Sequence, residues 1–247
     1  MTDDTLSHRR ALALDLETLA LLHDVEPDRA LIEELRQAPF QEWLGLTLEG
    51  ARGRAGLLMI DDALCAMPRP LDQATLDRLA VDFADIYLTF GLRAAPTASP
   101  WLDEEGLERQ APMFEARRWY QHYGLEVEDW RRRSDDHLVP ELRFLAHLFR
   151  QAQGDWPLRD AASFMDAHLL RWLPRFAARV AARCRTPYFA GVATLTAAYV
   201  DELRDILVLL TGDARPPLAP PVVKGRAAAG DEARSAPSYM PGVGPGW

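Results

Sequence analysis

Apolar positions along this chain recur at three- and four-residue spacing almost from end to end, and no convincing run alternates with the two-residue period of a half-buried strand. The pattern predicts an all-α fold: a single-domain bundle of about eight to ten helices. Leu12, Leu16, Leu19 and Leu22 mark the inward face of a helix near 5–25. Further helices are expected near 28–38, 49–66 and 72–90, punctuated by Pro27, Pro39 and Pro68-Arg69-Pro70, because a proline discourages helix in the residue before it. Short connections make consecutive helices neighbours.

The periodicity breaks between Gly91 and Met113, where Pro96, Pro100 and Pro112 stand among Ala, Thr and Ser. This reads as a long mid-chain loop, of a length that is often functional inside a compact domain. A short helix from Met113 to Tyr123 follows, supplying Phe114, Trp119 and Tyr120. Three longer helices are expected near 134–153, 157–184 and 187–210. In the middle one Phe164, His168 and Trp172 recur every four residues, and Pro174 is expected to kink or divide it. The last has a start signal in Thr186-Pro187, a face of Val192, Leu195, Tyr199, Leu203, Ile206 and Leu210, and a stop at Gly212. From 213 to 247 the composition shifts to Pro, Ala and Gly, a flexible tail that buries too little apolar surface to offset its ordering entropy.

The segment with most chemical content is Asp135-Asp136-His137-Leu138-Val139-Pro140-Glu141-Leu142-Arg143-Phe144-Leu145. Ser134, Asp135 or Asp136 can each cap the helix here, Pro140 fits only near a helix start, and His137 then falls in the first turn. Leu138, Leu142, Leu145 and Phe149 share one face, with His137, Glu141 and Phe144 on a neighbouring stripe. A polar acid and imidazole pair at the mouth of an apolar helix suits gripping a peptide better than cutting one. His137 and Glu141 lie four apart and could in principle hold a metal, but no further ligands stand at suitable spacing. His168 likewise lacks a second ligand and reads as a packed histidine.

Composition narrows the classes. Two cysteines, Cys65 and Cys184, form no CxxC or Cys/His cluster, which suits a reducing cytoplasm. The formal charge is −9, so nucleic acid is not an expected partner, whereas a basic peptide would be steered in. Ser7-His8-Arg9-Arg10-Ala11-Leu12 superficially matches a twin-arginine export signal, but Asp15 and Glu17 interrupt the apolar run a signal needs. No stretch of ~18 uncharged apolar residues occurs, so no membrane span is expected. Phosphate-loop, HExxH and GxSxG motifs are absent, and the C-terminal Gly-x-Gly-x-Gly follows no strand; an enzyme is the weaker class, and no cofactor is expected.

The order of motifs resembles the TorD/DmsD family of chaperones for molybdenum-cofactor enzymes. Asp136-His137, Glu141-Leu142 and Phe144-Leu145 look like the family's DH-x-x-x-EL-x-FL helix. Tyr87 to Phe90, then Pro96, Ser99 and Trp101-Leu102, are similar to its aromatic helix end and P-x-x-S-[VI]-[YW]-L loop. Phe114-Glu115-Ala116-Arg117-Arg118-Trp119-Tyr120 with Gly124-Leu125 resembles its E-[VA]-R-x-[FW]-Y…GL segment. The resemblance covers roughly residues 10–210. Ala98 stands where the loop usually has an acid, Pro100 replaces a β-branched residue, and Arg133-Ser134 replaces Glu-Pro; these departures bear on the client's identity.

The resemblance implies a cytoplasmic, all-helical chaperone that binds the twin-arginine signal peptide and apo form of an exported molybdoenzyme, delays export and keeps the client ready for cofactor insertion. Tyr87, Phe90 and Trp101 would line an apolar groove, and Asp136 with Glu141 would meet the arginines. His137 would tune that acidic site, and Ser99, Trp119 and Tyr120 complete the implied peptide-binding set. No residues are assigned to molybdenum cofactor or nucleotide. The long loop would permit a domain-swapped homodimer. The alternative is a helical adaptor that binds a folded partner without regard to twin arginines.

Overall fold

A computed structural model of the chain describes residues 3–151 and 154–217. Ten α-helices are present among them: α1 (Asp3–Asp24), α2 (Arg29–Leu35), α3 (Ala51–Ala66), α4 (Gln73–Phe83), α5 (Ser99–Leu102), α6 (Ala111–His122), α7 (Leu138–Arg150), α8 (Trp156–Ala167), α9 (Leu169–Arg183) and α10 (Pro187–Thr211). No strand occurs among the described residues, only one isolated antiparallel bridge between Thr97 and His137. The all-helical expectation holds.

One continuous core runs through the molecule. α10 packs against α3, α9 and α8, and α1 packs along α7. The α3/α10 crossing is backbone to backbone: a Cβ on Gly56 would stand 2.7 Å from the amide nitrogen of Leu195, and one on Gly191 would stand 2.9 Å from that of Ile60. Two glycines, one on each helix, therefore allow the backbones to approach this closely. Buried acids tie the layers together. Asp82 accepts from the amides of Arg185 and Thr186 and from the Thr186 hydroxyl, capping α10 from α4 where Thr186 makes no cap of its own. Asp15 accepts from the amides of Gly45 and Leu46 and from the Tyr199 hydroxyl.

Several boundaries differ from the sequence reading. The helix expected near 157–184 is two helices, and the break falls at His168 (φ −121°, ψ −86°), not at Pro174, which sits inside α9. Pro174 stands at the sixth residue of α9, so the helix it interrupts begins at Leu169 and the break lies N-terminal to it. The helix near 72–90 ends as α-helix at Phe83 and continues as a π-turn over Ala84–Leu88, closed by the Thr89 amide on the Ala84 carbonyl at 2.8 Å. The expected loop contains α5, and a 3₁₀ turn at Phe40–Trp43 was not anticipated. On α10, Leu207 is buried and Leu210 half exposed, because a helix drifts from a strict repeat over six turns. Of the tail at 213–247, residues 218–247 lie outside the described set. Its first residues lie along the body, where Arg215 pairs with Asp201 and Asp205.

The arginine pair in the export-like stretch near the N-terminus is part of α1. Arg9 is buried and donates to the carbonyls of Phe149, Gln151 and Gly154 at the end of α7.

Candidate binding groove

The start of α7 is held by a cluster in which each polar atom has a defined partner. The Asp136 carboxylate is wholly buried; one oxygen accepts from the Ser99 amide (2.7 Å) and hydroxyl (2.6 Å), the other from the Ser134 hydroxyl (2.5 Å). Ser99 in turn accepts from the Gln110 amide at 3.0 Å, at the start of α6. The backbone repeats the tie: Ala98 N donates to Asp136 O, and Leu138 N to Pro96 O. Asp135 pairs with Arg117 at 2.8 Å, and its carbonyl accepts from the Tyr120 hydroxyl. The mid-chain loop, α6 and α7 thus share one knot.

None of Ser134, Asp135 or Asp136 caps α7, which corrects the sequence reading. The cap is His137, in extended geometry (φ −79°, ψ 145°), whose Nδ1 accepts from the Val139 amide at 3.1 Å. An imidazole can cap only while Nδ1 is unprotonated. Burial first, then the Arg133 charge, bring His137 down to about 3 and keep it so.

Above this knot opens a groove of about 1260 Å³. Its apolar wall is Phe83, Tyr87, Leu88 and Phe90, facing Leu125, Val127, Pro140 and Phe144. Leu88 is 64% exposed, and Phe90, in the left-handed region at φ 54°, is 37% exposed. A non-glycine residue there is strained, and that strain aims an aromatic ring at solvent beside the π-turn. The rim carries Asp24, Glu108, Glu126, Glu128 and Asp129 among arginines that include Arg133 and Arg143. Asp24 holds both of these, at 2.5 and 2.7 Å. Glu108 accepts from the Thr97 hydroxyl, and burial raises its pKa.

Beneath the wall lies a buried relay. Thr196 Oγ1 donates to the Val192 carbonyl, so it accepts from His23 Nε2 (2.9 Å), and His23 Nδ1 accepts from the Tyr87 hydroxyl (2.6 Å). Burial depresses His23 to about 3 and raises Tyr87 well above its usual value, so both are neutral.

Of the nine residues singled out from the sequence, Tyr87, Phe90, Tyr120 and His137 line the groove. Ser99 and Asp136 are buried and bonded to each other, to Gln110 and to Ser134, and do not line it. Glu141 is buried deeper. Burial first, then Asp136, raise its pKa well above the usual value, and Trp172 donates to it at 3.3 Å. Its other oxygen faces His168 Nδ1 at 3.8 Å, and neither atom has a hydrogen-bond partner. Trp119 packs on Phe144 and Phe164 beside a second, smaller hollow of about 310 Å³. Trp101 lies away from the groove, under the guanidiniums of Arg175 and Arg179. Sequence reasoning missed His23, Asp24 and the Leu125–Asp129 edge, which reach the groove only through tertiary packing.

No group of three His, Cys, Asp or Glu able to hold a metal exists among the described residues, and no helix there is long and apolar enough to cross a membrane. The described residues form an all-helical protein with an open groove lined by apolar and charged side chains. A family model described as nitrate reductase delta subunit matches residues 54–178. The chain belongs to this family, that of the TorD and DmsD chaperones, which is one of chaperones and not of enzymes. Similar proteins include chaperone protein TorD of Vibrio cholerae (strain O395), 33% identical over 132 residues, half of this chain and 60% of its own length. TorD of Actinobacillus succinogenes is 32% identical over 102 residues, 41% of this chain and half of its own. TorD of Salmonella arizonae is 27% identical over 186 residues, 74% of this chain and 84% of its own. The chain thus spans about 60% of the length of the Vibrio cholerae relative.

Proposed function

We propose that this protein is a molybdoenzyme-maturation chaperone whose groove takes the twin-arginine signal peptide of an exported client, holding back export while the apoenzyme awaits its cofactor. The observation that carries the reading is the groove itself. A partly exposed aromatic and aliphatic wall, Tyr87, Leu88 and Phe90, suits the apolar core of a signal helix, and a carboxylate, Asp24, stands at the rim within the same cavity. Family membership and the chaperone relatives support the class.

The arginine-meeting role moves from Asp136 and Glu141 to the rim. A carboxylate already given to Ser99 and Ser134, and a buried acid with a raised pKa, have no surface to offer a guanidinium. Asp24 does, because it already binds guanidiniums in a part-exposed position. Asp136 instead positions the loop and α7 beneath the groove.

The test is calorimetric titration with a molybdoenzyme signal peptide and with its twin-lysine version. Lysine keeps the charge but loses the planar fork, so tight binding to the first and weak binding to the second is expected. Equal binding would reduce the site to an arginine-blind hydrophobic holdase, and no binding would favour the adaptor reading.

A further inference from the structure

Outside the lining of the groove, Arg171, Arg175, Arg179 and Arg183 recur at every fourth residue of α9, along a ridge about 18 Å long that turns by about 40° at each step. The chain as a whole carries 37 acids against 28 lysines and arginines, yet none of these four makes an ion pair among the described residues. Each spends one N–H on a backbone carbonyl: Arg171 on Ala167, Arg175 on Trp101, Arg179 on Arg93 and Arg183 on Leu92. Trp101 forms the platform, its ring centroid 5.5 Å from the Arg175 guanidinium carbon and 4.3 Å from that of Arg179. The forks are therefore oriented before any partner arrives, and Arg175 Nε is left buried without an acceptor. Burial and the neighbouring guanidiniums lower both Arg175 and Arg179, the mark of positive charge crowded without a counterion.

We propose that this α9 stripe with Trp101 is a second binding surface, distinct from the groove, that docks an acidic protein segment presenting carboxylates at one-turn spacing. Four pre-aimed guanidiniums in register with the pitch of a helix match carboxylates repeated every four residues. A nucleic acid would extend past so short a stripe onto a strongly acidic chain, and an anionic bilayer would press against the same surplus of carboxylates. A short acidic segment meets neither penalty.

The probe is a fluorescently labelled 18-residue helical peptide with glutamate at every fourth position, read by anisotropy against the full chain, with its glutamine counterpart as control. The glutamate peptide should bind at least tenfold more tightly than the glutamine one and lose that advantage in high salt. Arg171 makes one exposed hydrogen bond, to the Ala167 carbonyl at the end of α8, so Arg171→Glu should weaken binding about fivefold or more, with the unfolding temperature within a degree or two of the parent and Arg171→Lys retaining most of the affinity. If the glutamate disturbs the helix end, Arg171→Gln gives the same reading without added charge. Absence of binding, equal affinity for both peptides, or indifference to Arg171 would overturn the proposal. So would single-stranded DNA or phosphatidylglycerol vesicles binding as tightly as the glutamate peptide.

Discussion

The carboxylate of Asp136 receives both the amide and the hydroxyl of Ser99, 37 residues earlier in the chain, and has no surface exposed to solvent. A buried carboxylate so placed is a fastener for the mid-chain loop. Asp136→Ala leaves three buried donors without acceptors and is expected to cost about 3 kcal/mol in urea unfolding, with Asp136→Asn costing less. A variant that unfolded like the parent would show that the knot contributes nothing to stability.

Arg133 lies against Asp24 at 2.5 Å, where an incoming arginine would have to sit. Removing it by Arg133→Ala should raise affinity for a twin-arginine peptide about threefold, since the resident guanidinium no longer competes. Asp24→Asn should lower affinity by a similar factor. Calorimetry that shows both variants unchanged would place the arginine site elsewhere on the rim.

Leu88 is exposed on the groove wall and makes no contribution to the core. Leu88→Asp is expected to leave the unfolding temperature within a degree or two while reducing signal-peptide affinity about tenfold. Tyr87→Phe acts differently, because it strands the buried His23 Nδ1; about 1–3 kcal/mol of stability should be lost.

Glu141 is buried with a raised pKa, so glutamine mimics its protonated form. Glu141→Gln is expected to be within about 1 kcal/mol of the parent at pH 7, whereas Glu141→Ala opens a cavity and orphans Trp172 Nε1, costing about 3 kcal/mol. Chemical denaturation of the two variants side by side decides it.

Acid should destabilise the fold through its buried histidines. Burial lowers His23 and His137 to about 3 and His168 to about 4. Below about 6.5 the unfolded chain takes up protons that the native state refuses, so stability present above that pH is lost as pH falls toward the folded values. Glu141 opposes them with one proton above its ordinary value, because its native form holds a proton that the unfolded chain releases. The net slope remains toward loss on acidification, about 1.4 kcal/mol per pH unit for each uncompensated proton. Unfolding curves between pH 7 and 4.5 that showed flat or rising stability would contradict the buried neutral state of these rings.

Where local chemistry decides structure, the chain could be read directly. Thr186-Pro187 and Gly212, the latter at φ 74°, bound α10 almost where the pattern placed them, and Pro140 fell in the first turn of α7. The groove's aromatic end came from the family resemblance and not from local chemistry; Tyr87 and Phe90 line the cavity, and Trp101, grouped with them, does not. What could not be read was what depends on partners far along the chain. The partner of Asp136 could not be read, because its acceptor role toward Ser99, 37 residues away, has no sequence signature. His23 gave no signal because its partners, Tyr87 and Thr196, are 64 and 173 residues away. The break at His168 escaped because Pro174 is the only local disruptor in that stretch, whereas the backbone turns six residues earlier.

A protein built to read twin arginines faces the hazard of reading itself, for Ser7-His8-Arg9-Arg10 carries the letters of the signal it is proposed to recognise. The fold disarms that likeness. Wound into α1, with Arg9 spent on the carbonyls that end α7, the pair cannot extend into a neighbouring copy's groove without the helix unravelling from the core. Self-capture is thereby made to cost unfolding, and on the proposed function the groove is left to a client whose arginines lie in a loose leader.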